Sequence, residues 1–361
     1  MKNYFNKTKI IFGVGKRNKI NEELTGENIL ILSTKRGKIF LQKDKKITLD
    51  NKKKFIWIDN IKSNPSKILI KQIIKKIYKL KIHTILAYGG GSVIDVAKYI
   101  KYFLKKNGYK TKLVAVPTIS GTGSEVTQYA TIWDKKNKKK ISISEKYLLP
   151  NTAIVDPQLT VTAPIEQVIN SGLDCLVQAF DSCVWNKKYN IKIYKLGCAC
   201  IKNTIFALRN IKNKKKLIKS RNMLAKASLY SGWCIGTNKT SICHSMSYPL
   251  TSYLNMPHGL ACGVTMIQVI KYLKSKNKNF FNKFLKISKY NSYDKFLKDI
   301  NELFYSLKIK HKSKVYFLNE KKINKTLKYM YTKNRADNFI YRLDLRIIKK
   351  IFNQTKIWVR D

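Results

Sequence analysis

Five short apolar runs separated by helical patterning constrain this chain more than any other feature. They are NILILST (28–34), KFIWID (54–59), HTILAYG (83–89), LVAVPT (113–118) and TAIVD (152–156). Each is rich in β-branched residues and apolar at successive positions, as a strand covered on both faces must be. Helical stretches such as Pro65–Leu80 lie between them. This alternation predicts a doubly wound parallel sheet. From Pro164 onward the strand pattern stops, and amphipathic segments follow over 171–183, 191–209, 221–235 and 259–275. The reading is therefore an α/β N-terminal domain, 1–160, and an all-α C-terminal domain, 161–361. Prolines at Pro157 and Pro164 interrupt the pattern at the boundary. After about residue 276 the chain is rich in Lys and Asn and weakly patterned, apart from a closing helix expected over 335–352.

Composition excludes several classes. With 361 residues and 44% hydrophobic content the chain has ample material for a globular core. No stretch approaches the ~18 consecutive apolar residues of a membrane span. The basic N-terminus lacks the apolar segment of a secretory leader, so cytoplasm is the expected compartment. The formal charge of +52 raises the question of nucleic acid. However, the lysines are spread over the whole chain with Asn and Ile. Runs such as Lys135–Lys140 and Lys214–Lys216 also lack the interleaved aromatics of a stacking platform. They read as solvated surface, with nonspecific polyanion binding at low salt and no dedicated nucleic-acid site. All seven cysteines fall between Cys175 and Cys262 without a CxxC pair, and read as reduced, packed side chains.

Three segments carry chemistry. Residues 82–100 (IHTILAYGGGSVIDVAKYI) read as a strand, a glycine turn and a helix starting near Ser92. Gly89, Gly90 and Gly91 allow close backbone approach to a phosphate, and the helix N-terminus offers free N–H groups. An ordinary strand-to-helix turn has the same signature, and the string is not GxGxxG. Asp95 and Lys98 lie about one turn apart on the helix. The next run leads into Thr118-Ile119-Ser120-Gly121-Thr122-Gly123-Ser124-Glu125, a loop of small and hydroxyl residues suited to a ribose or pyrophosphate. In the helical half, Asp174, His244 and His258 are suitable ligands for a divalent Fe or Zn ion acting as a Lewis acid. Capping and core roles suit the same residues equally, because they are far apart and form no compact HxxxH.

In this order, GGGSVIDVAK, VPTISGTGSEVT, NTAIVDPQLT, SGLDCLVQAFDS and HSMSYPLTSYLNMPHG resemble the iron-containing alcohol dehydrogenase family. The resemblance runs from Gly13 and Gly15 to about residue 270. ATIWDKKNKKK (130–140) and HSMSYPLTSY (244–253) look most like the subgroup that reduces phosphonoacetaldehyde to 2-hydroxyethylphosphonate.

The resemblance implies an α/β nucleotide-binding domain, an all-α metal-binding domain, and NAD(P)H-dependent reduction of a small aldehyde to a primary alcohol. It implies nucleotide contacts from Gly89, Gly90, Gly91, Ser92, Asp95, Thr118, Ser120, Thr122 and Lys140. The metal ligands would be Asp174, His244 and His258. Gln178 stands where most members have a further histidine and could serve as a weaker amide ligand. Fe2+ is the expected ion, with Zn2+ as the alternative. Tyr248 replaces a second active-site histidine and could relay a proton, or could be a packed interface residue. Leu260 stands where the subgroup often has a histidine, so no proton path runs there. Lys239, in a segment where the subgroup also has a lysine, is the candidate phosphonate contact or else a surface lysine. A homo-oligomer, a dimer, is expected, with a small aldehyde or alcohol as the partner molecule. The run NILILST leads into Lys35-Arg36 with no carboxylate, which favours tolerance of a 2′-phosphate and use of NADPH alongside NADH. Alternatives are the dehydroquinate-synthase and glycerol-dehydrogenase branch, a metal-free maleylacetate reductase, and a decayed, basic polyanion-binding protein.

Overall fold

The computed structural model describes residues 5–134, 136–137 and 139–361. Residues 1–4, with which the leader reading begins, and Lys135 and Lys138 of the basic run lie outside the described residues. The chain forms two units, one ending at Ala163 and one beginning at Pro164.

The first unit contains β1 (Lys9–Phe12), α1 (Ile20–Glu23), β2 (Asn28–Ser33), α2 (Lys35–Lys43), β3 (Lys54–Ile58) and α3 (Lys67–Ile77). It continues with β4 (Thr84–Gly89), α4 (Gly91–Lys106), β5 (Lys112–Pro117), β6 (Tyr129–Asp134), β7 (Lys139–Ser144) and β8 (Thr152–Val155). Six strands pair in the order β1-β8-β5-β4-β2-β3, all parallel. Both faces are covered, which is why the apolar runs are unbroken. Ile31, Leu86 and Val114 pack with Leu41 of α2 on one face. Leu32, Ile85 and Ala115 pack with Ile73 of α3 and Ile100 of α4 on the other. The connections after neighbouring strands β2 and β4 therefore leave on opposite faces. That makes the carboxyl ends of these strands the switch point where doubly wound sheets bind ligands. At the opposite end of the sheet, the buried Glu23 carboxylate accepts from Lys9 Nζ (2.5 Å), Lys112 Nζ (3.1 Å) and Thr152 Oγ1 (2.7 Å). One side chain thus ties together the starts of β1, β5 and β8.

The hairpin β6–β7 lies in the string read from sequence only as a subgroup marker. Its register runs from Tyr129↔Ser144 to Asp134↔Lys139. Ala130 and Ile132 turn into the core beside α4, while Thr131 and Trp133 remain half-buried. The period of two was present in the sequence, but the surrounding lysines obscured it.

The second unit contains α5 (Ile165–Ala179), which continues as a π-turn (Phe180–Val184), then α6 (Ile191–Arg209), α7 (Leu217–Asn238), α8 (Ile242–Leu254), α9 (His258–Gly263) and α10 (Met266–Lys276). The tail adds α11 (Asn282–Ser288), α12 (Tyr293–Ser306), α13 (Ile309–Lys314), α14 (Glu320–Leu327), α15 (Lys333–Ala336) and α16 (Leu345–Arg360). No strand element occurs among its described residues. The expected helix over 259–275 is divided at Val264-Thr265, and the closing helix begins later than 335. Asp344 caps α16 by accepting from Ile347 N (2.8 Å), whereas Phe339 forms a bridge with Asn186. Despite its lysines the tail has a core of its own. Phe284 and Phe296 bury their rings 5.6 and 6.0 Å from Phe180. All seven cysteines are free and buried. Among the described residues, no helix is long and apolar enough to cross a membrane.

Candidate functional site

In the first unit, the glycine turn at the end of β4 meets the loop that follows β5. A Cβ on Gly91 would lie 2.8 Å from Thr122 Oγ1, so only glycine lets the loop approach the first turn of α4 this closely. The N-cap of α4 is Gly90, which leaves the helix's first N–H groups without a side-chain cap. A phosphate fits such a terminus. Asp95 clamps the loop: its carboxylate accepts from Ser124 Oγ (2.7 Å) and Thr131 N (3.0 Å). Burial pushes the Asp95 carboxyl up, opposed by the charge of Lys98 and, more weakly, that of Lys140. The buried Lys98 ammonium donates to Ser124 O, Ser124 Oγ, Thr127 Oγ1 and Tyr129 O, and burial lowers its pKa to about 8. Thr118 and Thr122 are half-buried and Ser120 is buried. Ser92 sits half-buried in the first turn of α4, and Lys140 lies opposite Trp133 in the hairpin.

In the second unit, α5, α8 and α9 bring four donor side chains together. Asp174, His244, His258 and Cys262 each offer a ligand atom, and these atoms all lie within 4.8 Å of one another. His244 Nε2 is 3.2 Å and His258 Nε2 3.9 Å from Asp174 Oδ1, and Cys262 Sγ is 3.8 Å from His258 Nε2. Donors 2.0–2.3 Å from one tetrahedral ion stand roughly 3.3–3.8 Å apart, so the cluster fits a divalent metal. The approach of α9 to α5 depends on Gly259, where a Cβ would lie 1.7 Å from the Asn170 carbonyl oxygen.

The cluster is backed by Asp181, a fully buried residue in the π-turn. Its Oδ2 receives His244 Nδ1 (2.7 Å) and His244 N (3.0 Å). Its Oδ1 receives Trp185 Nε1 (2.6 Å), Ser241 Oγ (3.0 Å) and Cys243 N (3.3 Å). With Nδ1–H directed at Asp181, His244 presents Nε2 towards Asp174, the arrangement that fixes a metal-binding imidazole. Burial disfavours charge on His244, but Cys262, Asp174 and Asp181 outweigh it and hold the imidazole well above its usual pKa. Burial raises the Cys262 thiol, yet His244 and His258 bring it down to about 6. Burial likewise opposes the Asp181 charge, and the bond with His244 holds its carboxyl below the usual range. A dication would take the place of the ring proton here.

Asp174, His244 and His258 thus converge. Gln178 is buried one turn beyond Asp174 on α5. Tyr248 is half-buried one turn beyond His244, its ring nearly parallel to that of His258 at 6.1 Å. Lys239 is exposed at the end of α7 with φ 60° and ψ 169°, and its carbonyl accepts from Asn186 Nδ2 (3.2 Å). Sequence reasoning missed Cys262 and Asp181. The spacing His258-x-x-x-Cys262 would have signalled the first, and Asp181, seven residues after Asp174 on one helical face, the second.

A parallel sheet with a glycine turn at an uncapped helix N-terminus, joined in one chain to a helical unit that gathers carboxylate, imidazole and thiol donors, defines a narrow class of protein. The family model for iron-containing alcohol dehydrogenase matches residues 7–157, and that for the C-terminal region of the Fe-containing alcohol dehydrogenase family matches 168–354. The chain belongs to the iron-containing alcohol dehydrogenase family. It is 33% identical over 161 residues to phosphonoacetaldehyde reductase of Streptomyces viridochromogenes, covering 45% of this chain and 40% of that protein. It is 29% identical over 213 residues to 1-propanol dehydrogenase of Salmonella typhimurium, covering 59% and 57%. The chain therefore spans about half the length of these curated relatives. Its fold is similar to that of sulfoacetaldehyde reductase from Bifidobacterium kashiwanohense in complex with NAD+, with a TM-score of 0.84, 22% identity and 99% of both chains covered.

Proposed function

We propose that this chain is a nicotinamide-dependent, metal-assisted reductase of small aldehydes, and that it converts phosphonoacetaldehyde to 2-hydroxyethylphosphonate. The donor cluster around Asp174, His244 and His258 is the observation that carries the reading. When bound, a divalent ion supplies Lewis-acid polarisation of the aldehyde oxygen, and the nicotinamide supplies hydride. The chain's own residues hold and orient. Asp181 keeps the proton on His244 Nδ1, so Nε2 is the nitrogen offered to the ion. The N-terminus of α4 and the Thr118–Glu125 loop bind the nucleotide phosphates. Tyr248, beside His258, holds a phenolic proton for the oxygen as the carbonyl carbon accepts hydride.

Similarity to phosphonoacetaldehyde reductase supports the substrate. A phosphonate dianion needs a cation, and Lys239, exposed just ahead of α8, supplies it. Steady-state kinetics of the purified chain with phosphonoacetaldehyde, acetaldehyde and propanal test the reading. Phosphonoacetaldehyde should have a kcat/KM at least about tenfold higher, which is about 1.4 kcal/mol of selectivity. Lys239→Ala should raise its KM while sparing the neutral aldehydes. Preference for propanal would leave an alcohol dehydrogenase of uncharged substrates.

A further inference from the structure

We propose that Cys262 is a thiolate ligand of the metal centre, the fourth protein donor beside Asp174, His244 and His258, and that it biases the site towards zinc-class ions over iron. This rests on the metal-assisted reading above. Cys262 lies one turn after His258 on α9, so both side chains leave the helix on the same face. Its Sγ is 3.9 Å from His258 Nδ1 and 3.8 Å from Nε2, close to the separation of two donors on one tetrahedral ion. Cys262 is fully buried, and of the seven cysteines it is the one placed within the donor group.

The competing fourth donor is Gln178, one turn after Asp174 on α5. An amide oxygen is neutral, whereas a thiolate brings a full charge to a dication from a fully buried sulfur, where Coulomb attraction is stronger than in bulk water. Asp174 and Cys262 together would neutralise a divalent ion. Sulfur also changes which ion is preferred: thiolate ligands favour zinc, while oxygen-rich sets suit manganese and magnesium.

Titration of the metal-free, full-length chain with cobalt(II) alone reads the donor set without recourse to activity. The expected spectrum has visible d–d bands and a near-ultraviolet sulfur-to-cobalt charge-transfer band. Cys262→Ser should abolish the charge-transfer band and keep the visible ones, while Cys198→Ser, outside the donor group, should keep both. Loss of an outer-shell partner already lowers metal affinity 10–100-fold, so Cys262→Ser should weaken zinc by at least about tenfold and manganese by less. Visible bands with no charge transfer in the unmodified chain, or charge transfer that survives Cys262→Ser, would overturn the proposal and leave a metal centre in place. Failure of the unmodified chain to bind cobalt at all would overturn both this proposal and the metal-assisted reading. The unmodified chain answers the charge-transfer question whether or not a variant folds.

Discussion

Replacing Asp181 with asparagine should weaken metal binding without touching a ligand. The carboxylate takes three donors on Oδ1 (Trp185 Nε1, Ser241 Oγ and Cys243 N) and two on Oδ2 (His244 N and Nδ1). Asparagine has one acceptor oxygen, so its NH2 must face one of these sets. Keeping the Oδ1 side points the NH2 at His244. Nδ1 must then accept, and its proton moves to Nε2, the nitrogen 3.2 Å from Asp174. A protonated Nε2 cannot bind an ion. Outer-shell partners of ligand histidines are worth 10–100-fold in affinity, about 1.4–2.8 kcal/mol. The opposed His244 N–H is left buried and unsatisfied, which costs a further ~1–3 kcal/mol of stability. Zinc competition against a chromophoric chelator measures the first effect, and denaturant unfolding in excess chelator the second. Trp185→Phe is the comparison: it removes a donor from Oδ1 but leaves both His244 bonds, so it should lower stability and largely spare affinity. Zinc affinity within about threefold of the unmodified chain, in a folded Asp181→Asn protein, would refute the orienting role.

Two further outcomes follow from the first unit. Burial opposes the Glu23 charge, but Lys9, Thr152 and Lys112 overcome it and lower its pKa from 4.5 to about 2. Because the folded pKa is depressed, the stabilisation is fully present above pH of about 4.5 and is lost as pH falls towards about 2. It amounts to on the order of 2–3 kcal/mol. Denaturant unfolding of Glu23→Gln should show that deficit near neutrality and a shrinking one through the window, whereas a pH-independent deficit would contradict the assignment. The second outcome concerns nucleotide choice. Lys35 is exposed at the start of α2, while Arg36 already donates to Thr162 O (2.7 Å) and lies over Phe40. Lys35→Ala should therefore weaken NADPH several-fold and leave NADH unchanged by fluorescence titration, and equal loss of both would exclude a 2′-phosphate contact.

What the sequence displayed was set by how each residue is used. Strands covered on both faces, such as Ile29–Leu32 and Ile85–Tyr88, must be apolar throughout, so the parallel sheet was legible. Gly89–Gly91 were legible because the turn from β4 into α4 leaves no room for side chains there. The hairpin β6–β7 escaped notice because in β6 only the alternate residues Ala130 and Ile132 are buried and a lysine-rich run follows them in the sequence. The tail escaped for a different reason: its buried residues, among them Phe284, Phe296, Ile300 and Leu303, are interspersed with lysines, and Phe180, which Phe284 and Phe296 meet, is about a hundred residues upstream. His244 and His258 stood out because the chain has only four histidines, and Asp174 because it lies in the helical string SGLDCLVQAFDS. Cys262 did not, since a buried cysteine in a helix is ordinarily a small apolar residue.

Asp181 could not have been found by residue type, and what it does explains why the site and the fold are hard to separate. The first N–H groups of α8 have no partner within that helix, and its N-cap Ser241 makes no capping bond to them. Asp181 supplies the cap from another element, accepting Cys243 N and His244 N while its charge meets the positive end of the α8 dipole. The same carboxylate orients the His244 imidazole. It is held in place by the π-turn that ends α5, with Phe180 buried against Trp185 and the tail rings. Such π-turns occur frequently at functional sites, and this one carries the next acidic residue of the face that presents Asp174. The start of α8, the direction of its first histidine and the anchoring of the tail therefore depend on one buried charge. Stability and metal affinity should fall together when that charge is lost, even though Asp181 itself binds nothing.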